Sequence, residues 1–329
     1  MSKMSTDLTR HALNGPTMGT RWSAQFHTAP DVDPSVIQIA LQAAVAEVDA
    51  QMSTWSADSD LMRLNAAPVG EWCDVPAMLM AVISLGLEIG RASKGAFDIG
   101  MGDAVTAWGF GPAEAAPDRI KAAMNTNRVP ASEALDLDVA AGRLRKTAPV
   151  ALDLNGIAKG YGVDRLAETL RGVGIMNALV GIDGEMRAMG LRPDAAPWSI
   201  AVEAPDAESR SAHSVLALQD AAVATSGDYR HWVEVQGRHL SHTMDPHRGA
   251  PLMNSPASVT VVAQTCAEAD AWATALMVLG TEQGAAFARA RGLEALFLLR
   301  TGQTEYRSLG VGRLFTDEDA AAHAPRRAV

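Results

Sequence analysis

Cysteine is scarce in this sequence. The 329 residues include two cysteines, Cys73 and Cys266, which lie far apart and outside any CxxC or Cys/His spacing. Disulfide frameworks and thiolate zinc sites both need several cysteines at characteristic spacings. The sequence therefore excludes a disulfide framework and argues against a zinc site built on thiolates.

Long apolar runs are also missing. No stretch of about 18 uncharged apolar residues occurs, so we expect no membrane span. The segment at 1–20 lacks the apolar core and the cleavage site of a signal peptide. We therefore expect a cytoplasmic protein. A periplasmic protein is the alternative, because a chain whose leader had been removed would look the same.

Basic residues are fewer than acidic residues in this sequence. The chain has 28 Lys and Arg against 38 Asp and Glu, which gives a formal net charge of -10 and a pI near 5.3. Neither a phosphate backbone nor an anionic lipid surface attracts such a chain. We expect no nucleic-acid partner.

Both helical and β-type patterns are present, within a composition that is 48% hydrophobic and sufficient for a large core. Apolar residues at helical spacing predict helices at 35–52, 75–92, 159–173 and 267–280. Short β-type runs lie at 178–182, 198–204, 231–235 and 257–263. The elements do not alternate strictly, so we predict a mixed α/β (α+β) fold rather than a doubly wound sheet.

The chain contains no clear interdomain linker. We predict a single domain over 15–315, with a flexible N-terminus at 1–14 and a mobile C-terminal tail at 316–329. Pro, Asp, Ala and Ser predict surface loops within 112–135 and 191–215.

The helix predicted at 267–280 carries a carboxylate on its apolar face. Asp270 and Thr274 lie one turn apart on that face, which points both side chains inward. An unpaired buried carboxylate costs several kcal/mol at least. Carboxylate and hydroxyl oxygens suit Mg²⁺, so the pair indicates a magnesium site. Alternatively, Asp270 caps a neighbouring helix and Thr274 only packs.

Three further segments carry candidate chemistry. In "LDLNGIAKGYGV", a helix opens near Lys159, so its backbone N–H groups favour a phosphate; alternatively, Lys159 is solvated. His242 ends a strand-like run and is a candidate for catalysis, whereas His247 lies in a turn and is predicted to be exposed. Trp55 and Trp108 offer flat surfaces for a ring, or pack in the core.

The order of these motifs along the chain and the residues in them resemble those of one family. The relevant runs are TMGT, MSTW, GAFDIG, WGFGP, LDLNGIAKGYGVDRL, ATSGDYRHW, SHTMDPHRGAP, SVTVVA and ADAWATAL. From about residue 15 to residue 281, the chain resembles the ApbE family of FAD:protein FMN transferases. The resemblance implies a Mg²⁺-dependent enzyme that takes FAD as substrate, transfers its FMN moiety to a Thr or Ser hydroxyl of an acceptor flavoprotein, and releases AMP. It also implies internal structural duplication, with the active site in a cleft between the two halves.

The resemblance also implies residue roles. Asp270, Thr274 and the backbone carbonyl of Ala158 would bind Mg²⁺, and His242 and Asp270 would be catalytic. The positions that would bind FAD are Met18, Trp55, Ala96, Phe97, Asp98, Asn155, Lys159, Ser226, Gly227 and Asp228. Two alternatives use the same cleft: an FAD pyrophosphatase that yields FMN and AMP, and an FAD-binding protein without turnover.

Overall fold

The structure is a computed structural model that describes residues 8–206, 211–228, 232–235, 238–253, 255–302 and 305–315. The tail predicted at 316–329 lies outside the described residues, as do residues 1–7. Residues 9–14, which we predicted to be part of a flexible N-terminus, belong to a paired strand, so that boundary was wrong. Among the described residues, no helix has the length and apolar character needed to cross a membrane.

The described elements mix helices and strands, as predicted. The strands are β1 (Thr9–Thr17), β2 (Thr20–Thr28), β3 (Cys73–Asp74), β4 (Leu135–Asp138), β5 (Arg143–Lys146), β6 (Ala178–Ile182), β7 (Glu185–Met189), β8 (Trp198–Glu203), β9 (Ala212–Leu218), β10 (Ala221–Gly227), β11 (Trp232–Val235), β12 (Arg238–Ser241), β13 (Met244–Asp245), β14 (Ala250–Pro251), β15 (Ser258–Ala263), β16 (Glu294–Arg300) and β17 (Tyr306–Val311). The helices are α1 (Pro34–Met52), α2 (Asp60–Ala66), α3 (Ala77–Ala92), α4 (Gly102–Ala107), α5 (Pro117–Asn125), α6 (Ala131–Ala134), α7 (Ala158–Gly172) and α8 (Cys266–Arg291).

An antiparallel sheet forms the centre of the described structure. Its eight strands lie in the order β1-β2-β6-β7-β10-β15-β16-β17. Four strands that precede residue 190 therefore make one half of the sheet and four that follow residue 220 make the other, with β7 paired to β10 where the halves meet. The internal duplication implied by the resemblance stays a prediction.

Helices cover one face of the sheet. Ile37, Leu41 and Val45 of α1 pack with Val163 and Leu166 of α7 in one buried cluster. A second cluster buries α3 and α8 against the later strands. The burial of these apolar helix faces is the main source of stability for this layer.

The other face of the sheet is covered by the two-stranded ribbon of β8 and β9. Trp198, Ile200 and Val202 of β8 face inward and pack with Leu216 and Leu218 of β9. The alternate residues of both strands face solvent, which is the expected pattern for a half-buried ribbon. The described chain thus forms three layers: helices, sheet and ribbon.

Two helices cap each other where α7 and α8 begin. Asp164 of α7 accepts hydrogen bonds from the N–H groups of Cys266 and Ala267, both at 2.9 Å. In return, Asp270 of α8 accepts a hydrogen bond from the N–H of Gly160 at 3.1 Å. The first N–H groups of a helix have no intrahelical partner, so each carboxylate satisfies donors of the other helix.

Several predicted elements need correction. The segment at 112–135 contains α5 and α6, and the segment at 191–215 contains β8 and the start of β9, so neither is a loop throughout. The predicted helix at 267–280 continues to Arg291, although Gly280 interrupts its helical geometry with φ 72°. The remaining predicted helices and strands are present within a few residues, apart from residue 231, which lies outside the described residues.

Candidate active site

A cleft of about 1610 Å³ lies at the ends of the central strands, where the two halves of the sheet meet. Ordinary small-molecule pockets measure roughly 300–1,000 Å³, so this cleft has room for a dinucleotide and for part of a second molecule. The turn between β6 and β7, the end of β10, and the first turns of α7 and α8 all contribute to its wall.

Most of the predicted site residues line this cleft. They are Met18, Trp55, Ala96, Phe97, Asp98, Asn155, Ala158, Lys159, Ser226, Gly227, His242, Asp270 and Thr274. Asp228 is the exception. Its two carboxylate oxygens accept hydrogen bonds from Arg300, both at 2.6 Å, so its partner lies on β16 rather than in the cleft.

Asp270 is the buried carboxylate of the site, with 5% of its surface exposed. Among the described residues, its one hydrogen-bond donor is the N–H of Gly160. Burial raises the pKa of Asp270 to about 7; the Glu185 carboxylate adds to the rise and the Lys159 ammonium opposes it. Asp270 is thus a helix cap, as one interpretation predicted, and its ionised form still needs more positive charge than these contacts provide.

Thr274 completes a hydroxyl pair on the same wall. Its Oγ1 lies 3.0 Å from Oγ of Ser226, so the end of β10 is bonded to α8 directly beside the cleft. Gly156 lies close to both Thr274 and Phe97. A Cβ on Gly156 would lie 3.2 Å from Thr274 Oγ1 and 3.2 Å from the Phe97 ring. Thr274 therefore does more than pack.

The oxygen atoms at this wall suit a magnesium ion. Asp270 offers a carboxylate, Thr274 a hydroxyl, and Ala158, which also lines the cleft, a backbone carbonyl. Mg²⁺ prefers oxygen ligands and commonly takes few of them from the protein, with water and substrate phosphates completing its shell. Within the described residues, no cluster of three or more His, Cys, Asp or Glu could hold a metal ion. His242, Asp245 and His247 are close in sequence but do not form such a cluster.

Lys159 lies at the first turn of α7 with 31% of its side chain exposed. Its Nζ is 2.6 Å from Oε1 of Glu185, a carboxylate that is itself 5% exposed. Burial favours the neutral amine, but the carboxylates of Glu185 and Asp270 outweigh it and raise the pKa of Lys159. The lysine is therefore a fixed cation beside the cleft. Sequence reasoning missed Glu185, whose only signal was its position in the turn "GIDGE".

The turn before α7 is organised by Asp153. Its carboxylate accepts hydrogen bonds from the backbone N–H and the side-chain amide of Asn155, both at 2.9 Å. Burial raises the pKa of Asp153 to about 6, and the hydrogen bond from the Asn155 backbone lowers it in part. This contact holds the exposed Asn155 at the cleft beside α7.

Aromatic and acidic side chains also line the cleft. Trp55 follows α1 and is 67% exposed, so one indole face is available to a ring. Asp98 accepts N–H hydrogen bonds from Gly100 at 2.8 Å and Ala131 at 3.1 Å, and burial raises its pKa. Trp108 is a core residue whose Nε1 donates to the Gly249 carbonyl at 2.9 Å, so it offers no open face.

His242 lies in the cleft wall just after β12. Its ring is edge-on to Phe110, with 6.4 Å between the ring centroids. His247 is exposed, as predicted, and its N–H donates to Asp245 Oδ1 at 3.0 Å within a tight turn. Of the two histidines, His242 lines the cleft that contains Asp270 and Lys159.

Comparisons with known proteins agree on one family. The model of the ApbE family matches residues 18–297. The chain is 38% identical over 301 residues to the FAD:protein FMN transferase of Vibrio cholerae, with 90% of each chain covered. It is 32% identical over 299 residues to that of Escherichia coli K12, covering 89% of this chain and 85% of the relative. The crystal structure of the Pseudomonas stutzeri flavinyl transferase ApbE in its apo form superposes with a TM-score of 0.82 at 35% identity, covering 96% and 98% of the two chains.

Proposed function

This chain belongs to the ApbE family, and on that premise we propose that it is a Mg²⁺-dependent FAD:protein FMN transferase. It transfers the FMN moiety of FAD to a Thr or Ser hydroxyl of an acceptor protein and releases AMP. One observation carries this proposal most directly: oxygen-bearing residues of α7 and α8 line one cleft together with a fixed lysine, and the cleft is large enough for a dinucleotide.

The reaction replaces one bond to phosphorus with another. The acceptor oxygen attacks the phosphorus on the FMN side of the pyrophosphate, the bond to the bridging oxygen breaks, and AMP leaves with that oxygen. His242 takes the proton of the attacking hydroxyl, a contribution of roughly 10²–10⁴-fold for a general base. Lys159, held by Glu185, places a positive charge where phosphate oxygens bind.

A magnesium ion bound by Asp270, Thr274 and the carbonyl of Ala158 would neutralise charge on the pyrophosphate. The protein's own contribution is positional. The hydrogen bond from Gly160 fixes Asp270, and Ser226 fixes Thr274, so both ligands are oriented before the ion binds.

Two alternatives share this cleft. With water as the nucleophile, the same chemistry gives FMN and AMP, which is FAD hydrolysis. An FAD-binding protein without turnover would need neither the cation ligands nor a base. The buried Asp270 carboxylate lines the cleft together with Thr274, which favours a catalytic site over a site that only binds FAD.

The decisive experiment identifies the acceptor and weighs it. Proteomes of cells that carry and lack this protein are compared by mass spectrometry for peptides whose mass increases by FMN. The identified acceptor is then incubated with the pure protein, FAD and Mg²⁺. Covalent FMN on the acceptor supports transfer, free FMN alone supports hydrolysis, and unchanged FAD supports a binding protein.

A further inference from the structure

One strand of the ribbon presents its edge to the cleft. Ser199, Ile200 and Ala201 of β8 are consecutive, and all three line the cleft. Successive side chains of a strand point to opposite faces, so a single face cannot account for three neighbours in a row. The cleft therefore runs along the backbone of β8, on the side away from β9.

This edge has no strand beside it. In the described chain, β8 pairs with β9 and with no other strand. Residues 199–202 have no backbone hydrogen bond outside that pair among the described residues. In a ribbon of two strands, about half of the N–H and C=O groups of each strand point outward, so β8 offers a row of donors and acceptors to the cleft.

Most of this edge also lacks the side chains that usually protect a sheet edge. Natural sheet edges commonly carry charged side chains or proline, which prevent pairing with another chain. The outer strands of the large sheet follow this rule: β1 contains Arg10 and Pro16, and β17 contains Arg307. Residues 198–202 contain neither a charge nor a proline, and the outward side chains Ser199 and Ala201 are small; the one charged residue of β8, Glu203, is its last residue.

The strand is held at both ends. Trp198 Nε1 donates to the carbonyl of Met189 at 3.0 Å, and Tyr306 donates its hydroxyl to the carbonyl of Pro205 at 2.7 Å. An edge fixed in this way needs little further ordering when a partner strand binds, which favours affinity.

We propose that the free edge of β8 is the docking site for the acceptor, and that an extended segment of the acceptor protein pairs with it through backbone hydrogen bonds. This inference rests on the proposed transfer reaction, because a hydrolase needs no such segment. Strand addition of this kind obtains affinity from the main chain and specificity from alternate side chains.

The position of the edge supports the acceptor as its occupant. Thr225 also lines the cleft, on the same face of β10 as Val223, which packs in one cluster with Ile200 of β8. Its Oγ1 bonds Thr260 at 2.8 Å. The next residue, Ser226, bonds Thr274 at the proposed magnesium site. Neighbouring residues of β10 thus connect the two regions, and a segment on β8 can direct a hydroxyl towards the pyrophosphate.

Backbone methylation of the acceptor tests the proposal with the enzyme unaltered. The probe is a synthetic peptide of the segment found to carry FMN in the proteome comparison, with one N-methyl group placed at each position in turn. We expect kcat/KM for transfer to fall about tenfold or more at alternate positions and to change little between them, because only alternate N–H groups face β8. The affinity of the protein for FAD is the control and stays constant, because neither the protein nor FAD is altered.

Hydrogen exchange then locates the segment. The complex is made with wild-type protein, FAD and a peptide whose acceptor Thr or Ser is Ala, so that no transfer occurs. We expect slower exchange at alternate amides of residues 199–202. The outer amides of β9 are the matched control, because β9 is the other edge of the same ribbon and none of residues 212–218 lines the cleft.

The outcomes separate this inference from the proposed function. Uniform effects of methylation, protection at β9, β1 or β17 instead of β8, or modification of the folded acceptor but not of the peptide would each overturn docking on β8 and leave transfer intact. Absence of any protein that gains FMN would instead overturn the proposed function.

Discussion

Asp270 is a helix cap that also faces the proposed site. It caps α7 through Gly160, and it lines the cleft beside Thr274. The cap satisfies one lone pair of the carboxylate and does not remove its charge. The cap is therefore compatible with a second role as a metal ligand, and that role of Asp270 and Thr274 stays a prediction.

The buried charge of Asp270 predicts how stability depends on pH when magnesium is absent. The pKa of Asp270 is about 7 in the folded protein, whereas the pKa of Asp in an unfolded chain is about 3.9. The folded state holds the proton on Asp270 more tightly than the unfolded chain does. The stability that this proton contributes is therefore fully present below about pH 4 and is lost as the pH rises to about 7. Asp270→Asn should therefore gain stability relative to wild type over this window. Melting temperatures in EDTA at about pH 5 and about pH 8 measure it; a gain that shrinks as the pH rises contradicts the assignment.

His242→Ala tests the base. Removing a general base lowers turnover by roughly 10²–10⁴-fold, whereas FAD binding needs no proton transfer. We expect flavinylation to be lost and the Kd for FAD to stay within about twofold, because His242 makes one part of a large cleft wall. Transfer rates and FAD fluorescence titrations measure the two effects, with His247→Ala as the control on the exposed turn. Full transfer by His242→Ala removes it from this role.

Trp55→Ala tests the exposed aromatic wall. Stacking of a nucleobase on an aromatic side chain contributes about 1–3 kcal/mol, so the substitution should weaken FAD binding about tenfold or more. Trp72→Ala is the matched control, because Trp72 is also exposed and lies against Arg143 and Arg145 away from the cleft. Equal FAD affinity in both variants would show that Trp55 does not stack on the ligand.

Some residue assignments could not come from sequence. Asp228 follows Gly227 in a motif of the site, yet its partner Arg300 is 72 positions later. Glu185 gave no periodic signal, and its role depends on a lysine in another element. Gly95 shows the same limit: a Cβ there would meet nothing nearer than 3.9 Å, so its positive φ of 84°, which the sequence does not display, is the physical reason for glycine.

At the scale of elements, the contact between α7 and α8 sets the geometry of the site. A Cβ on Gly160 would overlap the carbonyl oxygen of Cys266, so glycine lets the two helix starts approach closely. The long amphipathic elements were predictable because their apolar spacing repeats over several turns. Helix α5 was not, since Ala123 is its one buried residue and leaves no apolar stripe to detect.

Gly160→Ala should therefore separate the helices. The added methyl group meets backbone rather than a flexible side chain, and overpacking of this kind costs about 1–3 kcal/mol. Gly172→Ala is the control on the same helix, because a Cβ there meets nothing within 4 Å; it should be neutral or stabilising by up to about 1 kcal/mol. Urea unfolding compares them, and equal stability of both variants would contradict the close contact.

At the scale of the molecule, the resemblance anticipated the fold class, and the predicted site residues other than Asp228 line one cleft. A resemblance transfers a whole arrangement, including contacts between residues far apart in sequence. Spacing alone could not show that α7, α8 and β10 converge, because hydrophobic periodicity reports which face of an element is buried and not which element covers it. The free edge of β8 could likewise not be predicted from the sequence, because a strand is an edge strand when no other strand pairs with one of its sides.

Ligand binding should stabilise the molecule only when both components are present. FAD at about 100 times its Kd adds about 2.7 kcal/mol to the free energy of unfolding. If the wall of Asp270 and Thr274 binds magnesium at the pyrophosphate, EDTA should abolish most of the rise in melting temperature that FAD causes. Thermal melts with FAD alone, Mg²⁺ alone and both measure this. An equal rise with and without Mg²⁺ would favour a plain FAD-binding protein.

The mutual caps of α7 and α8 constrain how the protein matures on the ribosome. Gly160 is synthesised 110 positions before Asp270. Asp164 is synthesised 102 positions before Cys266, whose N–H donates a hydrogen bond to it. The start of α7 therefore leaves the exit tunnel without its cap, and the wall of the cleft closes only after α8 has emerged. FAD in the cell consequently meets a finished binding site late in translation, and a nascent chain stalled before α8 should not retain the dinucleotide.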